Sequence, residues 1–194
     1  MTFDPPAPRP TLVVVTGPPG AGKTSIARPL AVRLGLPLFC KDDLKEILFE
    51  ALGWGDRATS RSYSDAAYEI LFHLTEQELA ARRSLMIEAN FRPETATRLG
   101  AIGRSHPFFA VQIRCFAARP VLEARLTRRA HEPLRHPGHV DSETVSELDA
   151  MLASGQALAL GGPVLEVDTT GPEPVDCDEL AQRVKALIDA SDER

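Results

Sequence analysis

One loop motif constrains this chain more than any other feature of its sequence. Residues 16–25 read Thr-Gly-Pro-Pro-Gly-Ala-Gly-Lys-Thr-Ser and contain the complete phosphate-binding pattern G-x-x-x-x-G-K-[ST]. An apolar run at residues 11–15 precedes the loop, and a helical pattern at residues 25–34 follows it. Because strand, loop and helix stand in the order that the motif requires, the sequence predicts an α/β fold built around a nucleoside triphosphate.

The residues of this loop match the chemistry of a triphosphate and its metal ion. Glycines allow turns that direct backbone N–H groups at an anion, and the following helix adds the positive end of its dipole. The lysine can reach the β- and γ-phosphates, and the threonine hydroxyl is suited to ligate Mg²⁺. The predicted contacts to ATP or GTP are Gly17, Pro18, Pro19, Gly20, Ala21, Gly22, Lys23, Thr24 and Ser25.

Length, composition and charge narrow the class of protein. A chain of 194 residues that is 43% apolar is long enough for one well-buried domain, here residues 11–194. Residues 1–10 hold four prolines and are predicted to form a flexible tail. The net charge of −5 gives no global basic field, so nucleic acid is not an expected partner. With no apolar segment long enough to span a bilayer, we expect a cytoplasmic monomer or homodimer without a membrane partner.

Hydrophobic periodicity predicts alternating strands and helices, which is typical of a parallel sheet covered on both faces. The predicted strands are residues 11–16, 38–40, 85–87, 108–116 and 164–167. The predicted helices are 23–34, 42–52, 63–83, one starting with Pro93, 120–129, 142–153 and 178–189, with a polar loop at 53–62. Isolated Cys40 and Cys115 end apolar runs and are expected to be buried free thiols, and Cys177 shows no disulfide pattern.

Two groups of polar residues follow predicted strands and are candidates for chemistry. Asp42 and Asp43 follow the second strand, where a carboxylate can take the proton of an acceptor hydroxyl; either can also simply cap the next helix. Glu88, Asn90 and Arg92 follow the third strand, where Glu88 can hold a water on Mg²⁺ or bind the acceptor. A solvated loop is the alternative for this second group.

The late helix carries arginines at helical spacing and leads into a loop with two prolines and a glycine. Arg125, Arg128 and Arg129 share one face, which predicts a lid at about residues 125–140 that closes Arg125 or Arg129 on the triphosphate. An ordinary solvated charged face is the alternative. Thr169 follows the last strand, where such folds line the nucleobase.

Three histidines crowd the predicted lid loop. His131, His136 and His139 lie close together in sequence, which raises the possibility of zinc. No cysteine lies nearby in sequence, so contact with the acceptor, or no role, is the preferred interpretation.

The phosphate loop, Lys-Asp-Asp-Leu-Lys at 41–45, Glu-Ala-Asn at 88–90 and the Arg-x-x-x-Arg helix together resemble the P-loop kinase group of polynucleotide 5′-kinases, chloramphenicol phosphotransferase and zeta-toxin kinases. The resemblance covers residues 11–187. It implies a three-layer sandwich with a five-stranded sheet in the order 2-3-1-4-5 and a lid. It also implies that Asp42 is the general base, that Lys45 replaces a substrate-orienting arginine, and that Arg125 and Arg129 are lid arginines.

These observations predict a phosphotransferase that moves the γ-phosphate of ATP or GTP to a hydroxyl of a small molecule. Because the chain resembles a small kinase without a fused repair domain, an antibiotic is the favoured acceptor, with self-resistance as the role. A polynucleotide 5′-hydroxyl kinase and a nucleotide-driven switch or assembly ATPase are the alternatives. The predicted catalytic residues are Lys23, Asp42, Arg125 and Arg129; the acceptor residues Asp42, Lys45, Glu88, Asn90 and Arg92; the metal ligands Thr24, Asp42 and Glu88.

Overall fold

Strands and helices alternate through the computed structural model, which describes residues 9–129, 131–132, 135–139, 148–154 and 156–192. The strands are β1 Thr11–Thr16, β2 Leu38–Cys40, β3 Leu85–Glu88, β4 Phe109–Phe116 and β5 Val164–Asp168. The helices are α1 Lys23–Leu34, α2 Lys41–Leu52, α3 Arg57–Ala80, α4 Thr95–Ser105, α5 Arg119–Arg129, α6 Leu148–Ser154 and α7 Cys177–Asp192. A 3₁₀ turn at Pro137–His139 lies between α5 and α6.

The five strands form one parallel sheet in the order β2-β3-β1-β4-β5, which confirms the predicted topology. Central strand β1 is buried along its whole length because helices cover both faces of the sheet. Val13 and Val15 pack into a core shared with α1, α5 and α7. Leu12 and Val14 face the opposite core, which α3 and α4 close. The α/β three-layer arrangement follows from this two-sided burial.

The register of the sheet brings the candidate site together at one edge. Glu88 at the end of β3 pairs with Val15 on one side and with Cys40 on the other. The phosphate loop begins just after Val15, and α2 begins just after Cys40. Because the carboxyl ends of parallel strands meet at the same edge, the loop, Glu88 and the first turn of α2 become neighbours.

Helices α3 and α4 begin two or more residues from the starts that the sequence pattern predicts. Helix α3 starts at Arg57 rather than at Tyr63, because the Asp56 carboxylate accepts the Thr59 N–H at 2.9 Å and caps it. The predicted polar loop is therefore confined to residues 53–56. Helix α4 starts at Thr95, so Pro93 precedes the helix instead of occupying its first turn. The Pro93 carbonyl accepts the N–H of Ala96 at 3.1 Å.

Some predicted segments lie partly outside the described residues. These are residues 1–8 of the tail, 142–147 of the predicted helix 142–153, and parts of the lid at 130, 133–134 and 140. Pro10 belongs to the fold rather than to a tail, because its carbonyl accepts the Phe109 N–H at 2.9 Å and extends the pairing of β1 with β4.

Two simpler expectations can be compared with the described residues. Cys40 and Cys115 are buried free thiols, as predicted, and Cys177 is a partly buried one. Among the described helices, none is long and apolar enough to cross a membrane.

Candidate active site

The phosphate loop takes a conformation that only its glycines permit. Gly17 has φ +143°, and a Cβ on it would collide with the carbonyl oxygen of Cys115 in the neighbouring strand. Gly22 has φ +71° and caps α1 in the left-handed region. The loop is closed by a hydrogen bond from the Ala21 N–H to the Pro18 carbonyl at 3.2 Å. The backbone is therefore fixed in the shape of an anion cradle.

Lys23 is held over this cradle. Its ammonium donates to the Pro18 carbonyl at 3.0 Å. Burial lowers the pKa of Lys23 by more than the negative charges of Glu88 and Asp42 raise it. These two carboxylates therefore lie near enough to act on the ammonium that would hold the phosphates.

Thr24 and Glu88 form an oxygen pair beside the loop. The Thr24 hydroxyl donates to Glu88 Oε2 at 2.8 Å. Glu88 is the last residue of β3 rather than part of a following loop, and it is buried. A hydroxyl and a carboxylate are donors that Mg²⁺ prefers, so the residues present fit the metal ion that phosphate-loop proteins use. Among the described residues, no hydrogen bond joins Asp42 to either of them.

Asp42 lies in the first turn of α2 and lines the cleft. Helix α2 begins at Lys41, and its cap residue, Cys40, makes no side-chain hydrogen bond to the helix. The interpretation of Asp42 or Asp43 as a helix cap is therefore wrong. Asp43 points elsewhere and pairs with Arg28 at 2.8 Å on the surface.

Three cations surround the Asp42 carboxylate. Lys41 Nζ lies 3.1 Å from it, Arg135 3.4 Å and Arg129 3.6 Å. Burial alone would raise the pKa of Asp42, but these cations together with His139 hold it well below its ordinary value. Asp42 is therefore ionised, at the meeting point of α2, α5 and the segment that follows α5. Sequence reasoning missed Arg135, whose only signal was its position in the predicted lid.

Arg125 and Thr169 line the cleft and bind each other beside the phosphate loop. Arg125 donates to the Gly20 carbonyl at 3.2 Å and to the Thr169 carbonyl at 2.6 Å. The Thr169 hydroxyl accepts a further bond from Arg125 at 3.1 Å. Together they fasten the phosphate loop to the residue after β5. Arg128 pairs with Glu132 at 3.6 Å on an exposed face, which is the arrangement expected of a solvated charged helix face.

The predicted lid divides into a helix and a docked segment. Residues 125–129 belong to α5, whereas the described residues 135–139 pack on α2. The His136 ring stacks on Phe49 with centroids 4.8 Å apart, and His139 Nε2 lies 2.7 Å from a Glu46 oxygen. A Cβ on Gly138 would come within 2.9 Å of the Phe49 ring. Glycine at this position therefore allows the close approach.

The three histidines do not share a site. His131 Nδ1 lies 2.8 Å from the carbonyl of Thr127, while His136 and His139 pair with different glutamates of α2. The described residues contain no group of three or more His, Cys, Asp or Glu placed to hold a metal ion. His139 is buried and lines the cleft.

The remaining predicted acceptor residues lie around the other end of the cleft. The Tyr68 hydroxyl donates to the Asn90 carbonyl oxygen at 3.0 Å. Lys41 Nζ lies 5.5 Å from the centre of the Tyr68 ring. Arg92 is exposed at the rim, whereas Lys45 is buried and donates to the Ser60 hydroxyl at 2.8 Å.

A cleft of about 1250 Å³ joins these groups. Eleven lysines and arginines line it against seven aspartates and glutamates, although the chain as a whole has a net charge of −5. The phosphate loop, Glu88, Arg125 and Thr169 line one part of it, and Asn90, Arg92 and residues of α3 line another. The arrangement concentrates positive charge where phosphates and a second substrate would meet.

Comparison with known proteins agrees with this geometry. The family model of an AAA domain matches residues 12–156. The chain belongs to this family. It is 26% identical over 177 residues to a protein named "Putative adenylate kinase" from Thermococcus onnurineus, covering 91% of this chain and 83% of that one. A protein of the same name from Pyrococcus abyssi is 27% identical with the same coverage.

Solved structures show the same fold. A structure reported as a "putative kinase" from Chloroflexus aurantiacus is 39% identical, with a TM-score of 0.86 and coverage of 92% of this chain and 98% of that one. An unliganded sugar kinase from Janibacter is 19% identical, with a TM-score of 0.58 and coverage of 94% and 95%. A chain of the Pnkp1/Rnl/Hen1 RNA repair complex is 17% identical, with a TM-score of 0.54 and coverage of 78% and 48%. The chain therefore has a kinase-like P-loop fold.

Proposed function

We propose that this protein transfers the γ-phosphoryl group of ATP or GTP to a hydroxyl group of a small molecule. The observation that supports this most is the ionised Asp42, which lines the cleft and acts electrostatically on Lys23. An alcohol must lose a proton when it accepts a phosphoryl group, whereas a phosphate acceptor has no proton to lose. A carboxylate at this place in the cleft therefore favours an alcohol.

The residues divide the work of transfer among them. The backbone N–H groups of the loop and Lys23 bind the phosphates, and Arg129, which lines the cleft and acts electrostatically on Lys23, stabilises charge on the migrating group. Mg²⁺, held by Thr24 and Glu88, would neutralise negative charge on the phosphates. Asp42 takes the proton of the acceptor hydroxyl as the acceptor oxygen bonds to the γ-phosphorus. The bond from the γ-phosphorus to the bridging oxygen breaks at the same time, and its electron pair stays on the nucleoside diphosphate.

The low pKa of Asp42 belongs to the enzyme without nucleotide. There Arg129 and Arg135 have the carboxylate as a partner. A triphosphate offers these guanidinium groups a stronger anion, and their movement to it would raise the pKa of Asp42. Lys41 and His139, which lower this pKa more than the two arginines do, would remain beside the carboxylate. In a loose transition state the proton moves late, so a weakly basic carboxylate is sufficient.

A polar metabolite fits the cleft, because charged side chains make up almost half of its 38 lining residues. A hydroxylated antibiotic is a narrower form of the same proposal. A nucleoside monophosphate is the second candidate acceptor. It is favoured by the names of the curated relatives and by the excess of cations, which suits a phosphate.

A labelling assay tests the proposal. ATP or GTP with a labelled γ-phosphate is offered with Mg²⁺ and, in turn, polyols and hydroxy acids, hydroxylated antibiotics, nucleoside monophosphates and 5′-hydroxyl oligonucleotides. We expect label in a small alcohol. Label only in nucleoside diphosphate would establish the second candidate, and label only in oligonucleotide would establish a polynucleotide kinase. Release of phosphate regardless of acceptor would indicate an ATPase.

A further inference from the structure

Lys45 is a buried cation with which no acidic residue of the described part of the chain forms an ion pair. Only 4% of the residue is exposed, although it lines the cleft. Its ammonium donates to the neutral Ser60 hydroxyl at 2.8 Å and lies 5.2 Å from the centre of the Phe49 ring. Among the described residues, no carboxylate oxygen comes within ion-pair distance of it. A buried charge in such surroundings is costly unless an anion joins it.

The surroundings of Lys45 make its charge costlier still. Burial, together with the nearby positive charges of Lys41, Arg57 and Arg135, lowers the pKa of Lys45 to about 8 against the opposing charge of Asp42. The protein therefore maintains a lysine whose charged form it does not itself stabilise. An incoming anion would supply the missing interaction.

Helix α3 adds two arginines on the same side of the cleft. Arg57, Ser60, Arg61 and Ser64 recur at the spacing of one helix face, and Arg57, Arg61 and Ser64 line the cleft with Lys45. Arg57 also donates to the His139 carbonyl at 3.2 Å, which fixes its guanidinium beside the docked segment. We refer to Lys45, Arg57 and Arg61 as the α3-side cation cluster.

We propose that this cluster binds an anionic group of the acceptor, a carboxylate or a phosphate, so that the acceptor is a small hydroxylated anion. That the bound anion also accepts the phosphoryl group rests on the proposed function, whereas binding of the anion to the cluster does not. Asp42 and Lys45 lie three residues apart on α2, so their Cβ atoms are about 5–6 Å apart. In the acceptor, the reacting hydroxyl and the anionic group are therefore separated by only a few covalent bonds. A neutral polyol leaves Lys45 buried and unpaired and is discriminated against.

Kinetics with charge-matched acceptors test the proposal. Glycerate is compared with glycerol, and glucose 6-phosphate with glucose. We expect the wild type to favour the anion of at least one pair about tenfold or more in kcat/KM, and Lys45→Met to raise the KM for that anion about tenfold with little change in kcat. Its KM for the neutral partner stays as it was. Lys185→Met, which removes an exposed lysine of α7, is the control.

Calorimetric titration of the same four compounds into the nucleotide-free protein separates this proposal from the proposed function. Binding of an anion that Lys45→Met abolishes, without transfer to that anion, would uphold the anion site and show that the bound anion is not the phosphoryl acceptor. Arg61→Gln changes an exposed residue and serves as the second variant if Lys45→Met does not fold. Equal binding of neutral and charged partners, binding that neither variant weakens, or no binding of either anion would overturn the proposal.

Discussion

At the scale of single residues, the site consists of charged side chains that the substrates would contact. Asp42 is balanced by Lys41, Arg129 and Arg135, which are the groups that phosphates would attract. Among the described residues, the Lys45 ammonium contacts only the Ser60 hydroxyl and the Phe49 ring. Substrate binding would change the electrostatic free energy of both side chains. Variants of each residue therefore test the account.

Asp42→Asn is expected to lower kcat by about 10²-fold or more, because it removes the proton acceptor and leaves the shape of the side chain. Nucleotide affinity, measured by titration calorimetry, is expected to persist. Asp43→Asn is the matched control, since Asp43 makes an exposed pair with Arg28 that contributes little. If Asp43→Asn lowered kcat and Asp42→Asn left it nearly unchanged, the assignment of Asp42 as the base would be wrong.

Lys45→Met is expected to stabilise the nucleotide-free protein by ~1–3 kcal/mol at pH 7, because it removes a buried charge. The pKa of Lys45 is about 8 in the folded protein against an ordinary 10.5, so the folded state binds fewer protons between these values. The cost of the charge is therefore complete below pH 8 and disappears as the pH rises to 10.5. Thermal unfolding of both proteins from pH 7 to 10.5 measures this. A constant difference, or a less stable variant, would contradict the assignment.

The residues that were predictable from the sequence are those whose contacts are with near neighbours along the chain. The loop glycines and Lys23 were predictable because neighbours in sequence form the cradle. Sequence reasoning did not reach Arg135, which meets Asp42 only through the docking of a distant segment. Nor did it foresee that Arg125 would hold Thr169 and the loop together, because that contact joins α5 to the end of β5.

At the scale of elements, the strands were more predictable than the starts of helices. Buried parallel strands read as apolar runs, and each predicted strand overlaps an observed one. The start of α3 was missed because its cap, Asp56, stands in a stretch with two glycines that reads as a loop. This shift brings Arg57 and Arg61 onto a helix and so onto one face of the cleft.

The docked segment 135–139 carries Arg135 to the base and is expected to matter for turnover. Gly138→Ala places a methyl group 2.9 Å from the Phe49 ring and should push the segment off α2. We expect a roughly tenfold loss of kcat with more amide exchange at residues 135–139, and little change in the melting temperature. Gly100→Ala, within helix α4, is the control. Unchanged turnover and exchange in Gly138→Ala would show that the docking is not needed.

At the scale of the whole molecule, an acidic protein surrounds a basic cleft. The net charge of −5 led the sequence reasoning to exclude a basic surface, yet half of the 22 lysines and arginines line the cleft. Composition cannot reveal this, because the fold gathers residues from α2, α3, α5 and the segments between them. The cleft therefore suits anionic substrates although the chain as a whole is acidic.

The chemical linkage of the transferred phosphate tests the central claim most directly. Phosphorus-31 NMR of reactions with ATP and Mg²⁺ distinguishes a phosphomonoester from a phosphoanhydride and from inorganic phosphate. With the polyols, hydroxy acids, glucose 6-phosphate and nucleoside monophosphates above offered in turn, the wild type is predicted to convert γ-phosphate into a phosphomonoester, and Lys23→Ala to form none. New signal only as a phosphoanhydride on a nucleoside monophosphate, or only as inorganic phosphate, would contradict transfer to an alcohol.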